Sequence, residues 1–195
     1  MPTGTTIPDV RVQLFDAAER VLLRDGAQAL TSRAVTAEAG VAKGVLHRHF
    51  ADFDDFLVEL VRDRIRAMQE TSAALMQRVG TGSIEDNLTD ALGIVFSSVA
   101  VRMVGLITVR DELRSRLRAA GHDGVPVATD AAGMIRDYLA AERDSGRLRP
   151  SADLESIGLT LIGGGHLLHG SGDADPEHLR RTVTSVLTGA LADRT

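Results

Sequence analysis

An all-α fold is predicted by three features of this 195-residue chain. Ala, Leu, Arg and Glu, which favour helices, are abundant, while aromatic residues make up only 3%. Apolar positions recur every three to four residues, and no stretch shows the two-residue alternation of a half-buried strand. About nine helices and no strand are expected. The length suits one ordinary domain, or a small one joined to a larger one, with a core that needs no staples. Cysteine is absent, which excludes disulfides, thiolate metal sites and a cysteine nucleophile and fits a reducing compartment. No apolar run approaches the roughly 18 residues of a membrane span. Met1 to Asp9 also lacks the regions of a secretory signal, so a cytoplasmic protein is expected.

The first helical pattern runs from about Pro8 to Asp25, with Leu14, Ala18, Val21 and Leu22 on one face, and Gly26 ends it. Thr31 is placed to cap a short helix containing Val35 and Ala39, which Gly40 stops. A second short helix follows from Ala42 to His49, with Phe50 as an anchor. Asp52 then caps a long helix whose stripe runs through Phe56, Leu60, Ile65 and Met68 until the glycine-rich stretch at 80–83. Further helices are predicted from Ile84 to Val99, from Val104 to Ala120 with Arg114, Arg116 and Arg118 outward, and from Ala131 to Gly146, with a junction near Arg102. Arg147 to Ser151 is a connector. Leu154 to His169 and Pro176 to Leu191, joined by Gly170 to Asp175, form an antiparallel hairpin.

The net charge of −5 argues against a nucleic-acid partner, yet its distribution does not. Residues 31–50 set Arg33, Lys43 and Arg48 against the single acid Glu38, and the acidity lies in residues 51–195. Of the 22 basic residues only Lys43 is a lysine. Two short helices joined by Ala39, Gly40 and Val41 form a helix-turn-helix, in which the second helix enters the major groove while the first crosses the backbone. Thr31, Ser32 and Arg33 open the first helix, where free N–H groups favour an anion. Lys43 opens the second, Gly44 permits close backbone approach, and Val45 suits a thymine methyl. His47, Arg48 and His49 close it with donors for phosphate.

The stretch Thr31-Ser-Arg-Ala-Val-Thr-Ala-Glu-Ala-Gly-Val-Ala-Lys-Gly-Val-Leu-His-Arg-His-Phe50 resembles the N-terminal domain of the tetracycline-repressor (TetR) family of bacterial regulators. The likeness is close over these residues and looser from the first helix through Phe56-Leu57. Three positions depart from the usual wording: His47 where tyrosine is usual, Phe53 where lysine is common, and Thr36 where alanine is usual. The resemblance implies a DNA-binding domain at 1–51 and a helical ligand-binding and dimerisation domain at 52–195, with 52–79 as the connecting helix. It also implies a homodimer through the last two helices, a small-molecule effector and repression as the commoner mode.

The residues offer their own support for the dimer, because both hairpin helices look too apolar to be exposed on one side. A two-fold pair would demand a near-palindromic operator in double-stranded DNA. Arg102, Met103, Met134, Tyr138 and His166, polar or soft residues on apolar helices, are the candidates to line an effector pocket. His166 and His169 lie three apart without a placed acidic partner, so no metal is expected, and no cofactor either. No Glu-x-x-His pair, Gly-x-Ser-x-Gly elbow, Walker loop or dinucleotide fingerprint occurs, so an enzyme is not expected. The remaining alternatives are a protein-binding bundle that never meets DNA and an activator of the same fold.

Overall fold

The computed structural model describes residues 9–97, 99–170 and 175–191. The extreme amino terminus, including the helix start expected at Pro8, and most of the expected Gly170 to Asp175 connection lie outside them. Ten helices occur among the described residues. They are α1 (Val10–Asp25), α2 (Ser32–Glu38), α3 (Gly44–His49), α4 (Phe53–Met76), α5 (Ile84–Ser97), α6 (Ala100–Val109), α7 (Asp111–Ala119), α8 (Pro126–Asp144), α9 (Leu154–Gly170) and α10 (Pro176–Leu187). No single helix there is long and apolar enough to cross a membrane.

The extra helix comes from a break the apolar pattern hides. Leu106, Ile107, Leu113 and Leu117 are all buried, so the stripe continues across 104–120, but the backbone at Arg110 is extended (φ −114°, ψ 98°). Arg110 leaves the helical path because its guanidinium donates to the Leu30 carbonyl at 2.7 Å. Arg114 takes up the Thr108 carbonyl released by the break, and Asp111 and Glu112 favour a fresh helix N-terminus. The expected junction near Arg102 lies instead around residues 97–99, and Arg102 sits inside α6.

The core is continuous from α1 to α10. Four of the five phenylalanines cluster where α1, the end of α3 and the start of α4 meet: Phe56 lies 5.6 Å from Phe15, 5.0 Å from Phe50 and 5.6 Å from Phe53, centroid to centroid. At the far end of α4 a buried polar knot closes the body. Glu142, fully buried, accepts from Tyr138 Oη at 2.6 Å and pairs with Arg147 at 3.0 Å, while Asn87 Nδ2 donates to Tyr138 Oη at 2.9 Å. Burial, then the bond to Glu142, raises the Tyr138 phenol above its ordinary range, so it stays a donor. Arg147 also reaches the Gly82 carbonyl, and Gly80 N–H meets the Glu142 carboxylate at 3.3 Å.

α9 packs tightly only because it is rich in glycine. A Cβ at Gly165 would stand 2.0 Å from the Phe96 ring, which stacks on His169 at 4.9 Å. The 147–151 connector is held to the end of α10 by Arg149 N–H to the Ala190 carbonyl at 2.8 Å, beside a single bridge between Leu148 and Leu191. α10 itself ends at Leu187, short of the Leu191 expected. The two last helices differ in their outward faces. α9 exposes Leu159 (56%) and Leu167 (78%) on one stripe, whereas the exposed face of α10 is polar, with His178, Arg181, Thr184 and Ser185.

Candidate DNA-binding interface

The α2–α3 unit is shaped by local chemistry. Thr31 caps α2, its Oγ1 accepting from Ala34 N–H at 3.2 Å. At the other end Gly40 adopts φ 68°, and Val41 N–H returns to the Thr36 carbonyl (3.0 Å) and Gly40 N–H to Ala37 (3.1 Å). This paired arrangement satisfies the last carbonyls and turns the chain sharply. Gln13 of α1 clamps the same turn, donating to the Ala39 carbonyl at 2.8 Å. Thr36 is buried without cost, because its Oγ1 donates to the Ser32 carbonyl at 2.9 Å.

Val35 and Leu46 face the core, which turns the opposite sides of the two helices to solvent. There Ser32, Arg33, Thr36, Lys43, Gly44 and His47 line one cleft of about 420 Å³. Lys43 and His47 stand four apart on the same side of the turn–α3 segment. Thr31, Arg48 and His49 are exposed but do not line the cleft, and Val45 is half-buried against the core. Arg33, Lys43 and Arg48 have no carboxylate partner among the described residues. Glu38, the acid of α2, is turned away and held by Arg20 at 2.8 Å and Arg24 at 2.9 Å. Hydrogen bonds from Arg20 and then Arg24 keep its carboxyl below the ordinary range.

Further residues position this unit although nothing in their sequence neighbourhood marks them. Arg11 lies 4.6 Å over the Phe50 ring, reaches the His49 carbonyl at 3.5 Å and pairs with Glu59 at 3.3 Å. Phe53 carries the Arg110 guanidinium over its ring at 5.6 Å. Asp52, whose Oδ1 caps α4 by accepting from Asp55 N–H at 2.7 Å, also receives Arg116 of α7 at 2.8 Å. The Arg116 bond, then the cap, lowers the Asp52 carboxyl below its ordinary 3.8. Asp55 returns to Ala51 N–H at 3.1 Å, so the capping pair closes one residue before the cap itself. Arg116, expected on an outer face, thus ties the body to the base of the helix-turn-helix.

The residues proposed for a pocket are dispersed. Met134 lines an open cavity of about 350 Å³ between α4 and α8, with Met68, Gln69 and Asp137. Tyr138 is committed to the Glu142 knot, Met103 is buried in the core, Arg102 is exposed and His166 half-buried. A second, more apolar cavity of about 570 Å³ lies among α5, α9 and α10, lined by Ile94, His169, Pro176 and Leu179 among others.

A capped helix, a glycine turn and a second helix that shows unpaired cations to solvent together form a helix-turn-helix. Residues 14–60 match the model of the bacterial regulatory proteins of the tetR family. The whole fold agrees. A TetR-family transcriptional regulator from Agrobacterium tumefaciens superposes with a TM-score of 0.71 at 15% identity, over 93% of this chain and 97% of that one. NemR of E. coli in its reduced form gives 0.69 at 16% identity, over 93% and 97% of the two chains. The multidrug binding protein EbrR, complexed with imidazole, gives 0.62 at 24% identity, over 96% and 98%. No curated protein matches the chain by sequence. Residues 14–60 thus resemble bacterial regulatory proteins of the tetR family, and the chain shares the all-α fold of solved tetR-family regulators.

Proposed function

We propose that this chain is a homodimeric repressor that holds a near-palindromic operator until a small molecule releases it. Residues 1–51 form its DNA-binding domain and 52–195 its ligand-binding and dimerisation domain. The observation that carries the reading is the cleft where Arg33, Lys43 and His47 converge without an acid to neutralise the two cations. Lys43 meets a guanine edge or phosphate, Gly44 lets the backbone approach, and Val45 meets a thymine methyl. Thr31, Ser32, Arg33, His47, Arg48 and His49 hold phosphates.

The dimer surface is α9, whose exposed Leu159 and Leu167 flank Gly163 at four-residue intervals. A second copy covers that stripe, and the hydroxyl-bearing face of α10 forms its rim. The effector enters between α4 and α8 beside Met68 and Met134, because α4 is the helix whose first turn supports α3. The multidrug-binding neighbour supports a small-molecule effector.

Selection of bound sequences from random duplex DNA tests this reading. An inverted repeat is expected, with half-site centres about 10 base pairs or a multiple apart, and sedimentation at micromolar concentration is expected to give a dimer. No enrichment, or a monomer, contradicts it.

A further inference from the structure

We infer that DNA binding by this chain is coupled to proton uptake at His47, so that affinity for duplex rises as the pH falls from 8 to 5.5. The inference rests on the DNA-binding reading above and deepens it. His47 lines the α2–α3 cleft with Arg33 and Lys43, about a quarter turn around α3 from the buried Leu46. The ring is exposed, so a phosphate has access to it.

The charged groups around this surface leave few that change state near neutrality. Arg33, Lys43 and Arg48 on α2 and α3, and Arg11 on α1, are of types whose charge does not change in that range. Glu38 of α2 is bound by Arg20 and Arg24 and kept ionised. In the first turns of α4 stand Asp52, kept ionised by Arg116, then Asp54, Asp55 and Glu59, of which Glu59 pairs with Arg11 and Arg62. The imidazoles of His47 and His49 are therefore the groups on α2 and α3 of the type that changes charge between pH 5 and 8. Only His47 lines the cleft.

A phosphate beside the ring favours its charged form. Binding then draws a proton from solvent onto the ring wherever the free ring is neutral. By linkage this contribution is complete at low pH and is lost as pH rises through the titration of the bound ring. The proton goes from solvent to the imidazole, which then donates to a phosphate oxygen and displaces one more counterion.

The test uses the full chain and a 30-base-pair duplex recovered from random DNA at pH 8. Affinity is titrated against salt at pH 8.0 and pH 5.5, for the native chain, H47Q and H178Q. Glutamine keeps a donor at position 47 but cannot take a proton, and His178 lies on α10. The native chain is expected to bind at least about tenfold more tightly at pH 5.5 and to show a log–log salt slope steeper by at least about 1, the share of one added phosphate contact. H178Q is expected to retain both differences and H47Q to lose about one phosphate contact's share of them, leaving at most what His49 contributes. Equal slopes for the native chain, or an undiminished difference in H47Q, overturns the inference. Binding without pH dependence overturns the proton coupling alone, whereas failure to retain duplex at either pH overturns the DNA-binding reading as well.

Discussion

The arginines of α1 and the helical body lean on carboxylates, while the cations of the α2–α3 surface do not. Arg20 and Arg24 share Glu38, Arg64 faces Glu19, Arg116 holds Asp52, and Arg180 reaches Asp86 across the α5–α10 contact. Arg33, Lys43 and Arg48 point to solvent without a carboxylate among the described residues. On the function proposed above, the contrast is how an acidic protein keeps a surface for a polyanion. Exposed ion pairs add little to stability, so leaving three cations unpaired costs the fold almost nothing. The potential they create stays available to phosphate, which responds to local charge within about a Debye length rather than to the net −5.

If the two regions differ in this way, substitutions in them should separate stability from binding. The largest loss of stability is expected in the body for Glu142→Ala, which strands Tyr138 Oη and Arg147 around a buried site. Roughly 3 kcal/mol should appear in urea denaturation. A loss below 1 kcal/mol would show that the knot is ornamental. A smaller effect, about 1 kcal/mol, is expected for Arg110→Ala, which leaves the Leu30 carbonyl without its charged donor. The same variant should also loosen the first three helices, read as faster amide exchange in α2 and α3. Unchanged exchange there would mean that α4 alone sets their position. The smallest is expected on the α2–α3 surface itself, where Lys43→Ala and Arg48→Ala should each leave stability within about 0.5 kcal/mol of the native chain. A larger drop would place these side chains in the fold rather than at an interface.

The helix-turn-helix was legible in the sequence because its determinants are local. Thr31 caps three residues ahead, Gly40 supplies the left-handed turn, and the apolar positions Val35 and Leu46 settle which sides face out. The break at Arg110 was not legible. Its cause is a carbonyl 80 residues away, and the buried leucines on either side keep the helical period through it. Phe53 is similar: marked in the sequence only as standing where lysine is common, it stacks on Phe56 and receives Arg110. Tyr138 looked like a pocket residue because a polar ring on an apolar helix suits one. Its partner Asn87 stands 51 positions earlier, beyond any local pattern. α10 read as apolar from its buried stripe of Leu179, Val183 and Leu187, whereas the hydroxyl residues between them make its outer face polar.

The most direct measurement is the salt dependence of duplex binding by the native chain and by the Lys43→Ala, Arg48→Ala double variant. Each phosphate contact contributes about 0.9 to the log–log slope. The double variant should bind at least tenfold more weakly and with a slope shallower by about 2. Equal affinity and equal slope would contradict the assignment of the α2–α3 surface to DNA.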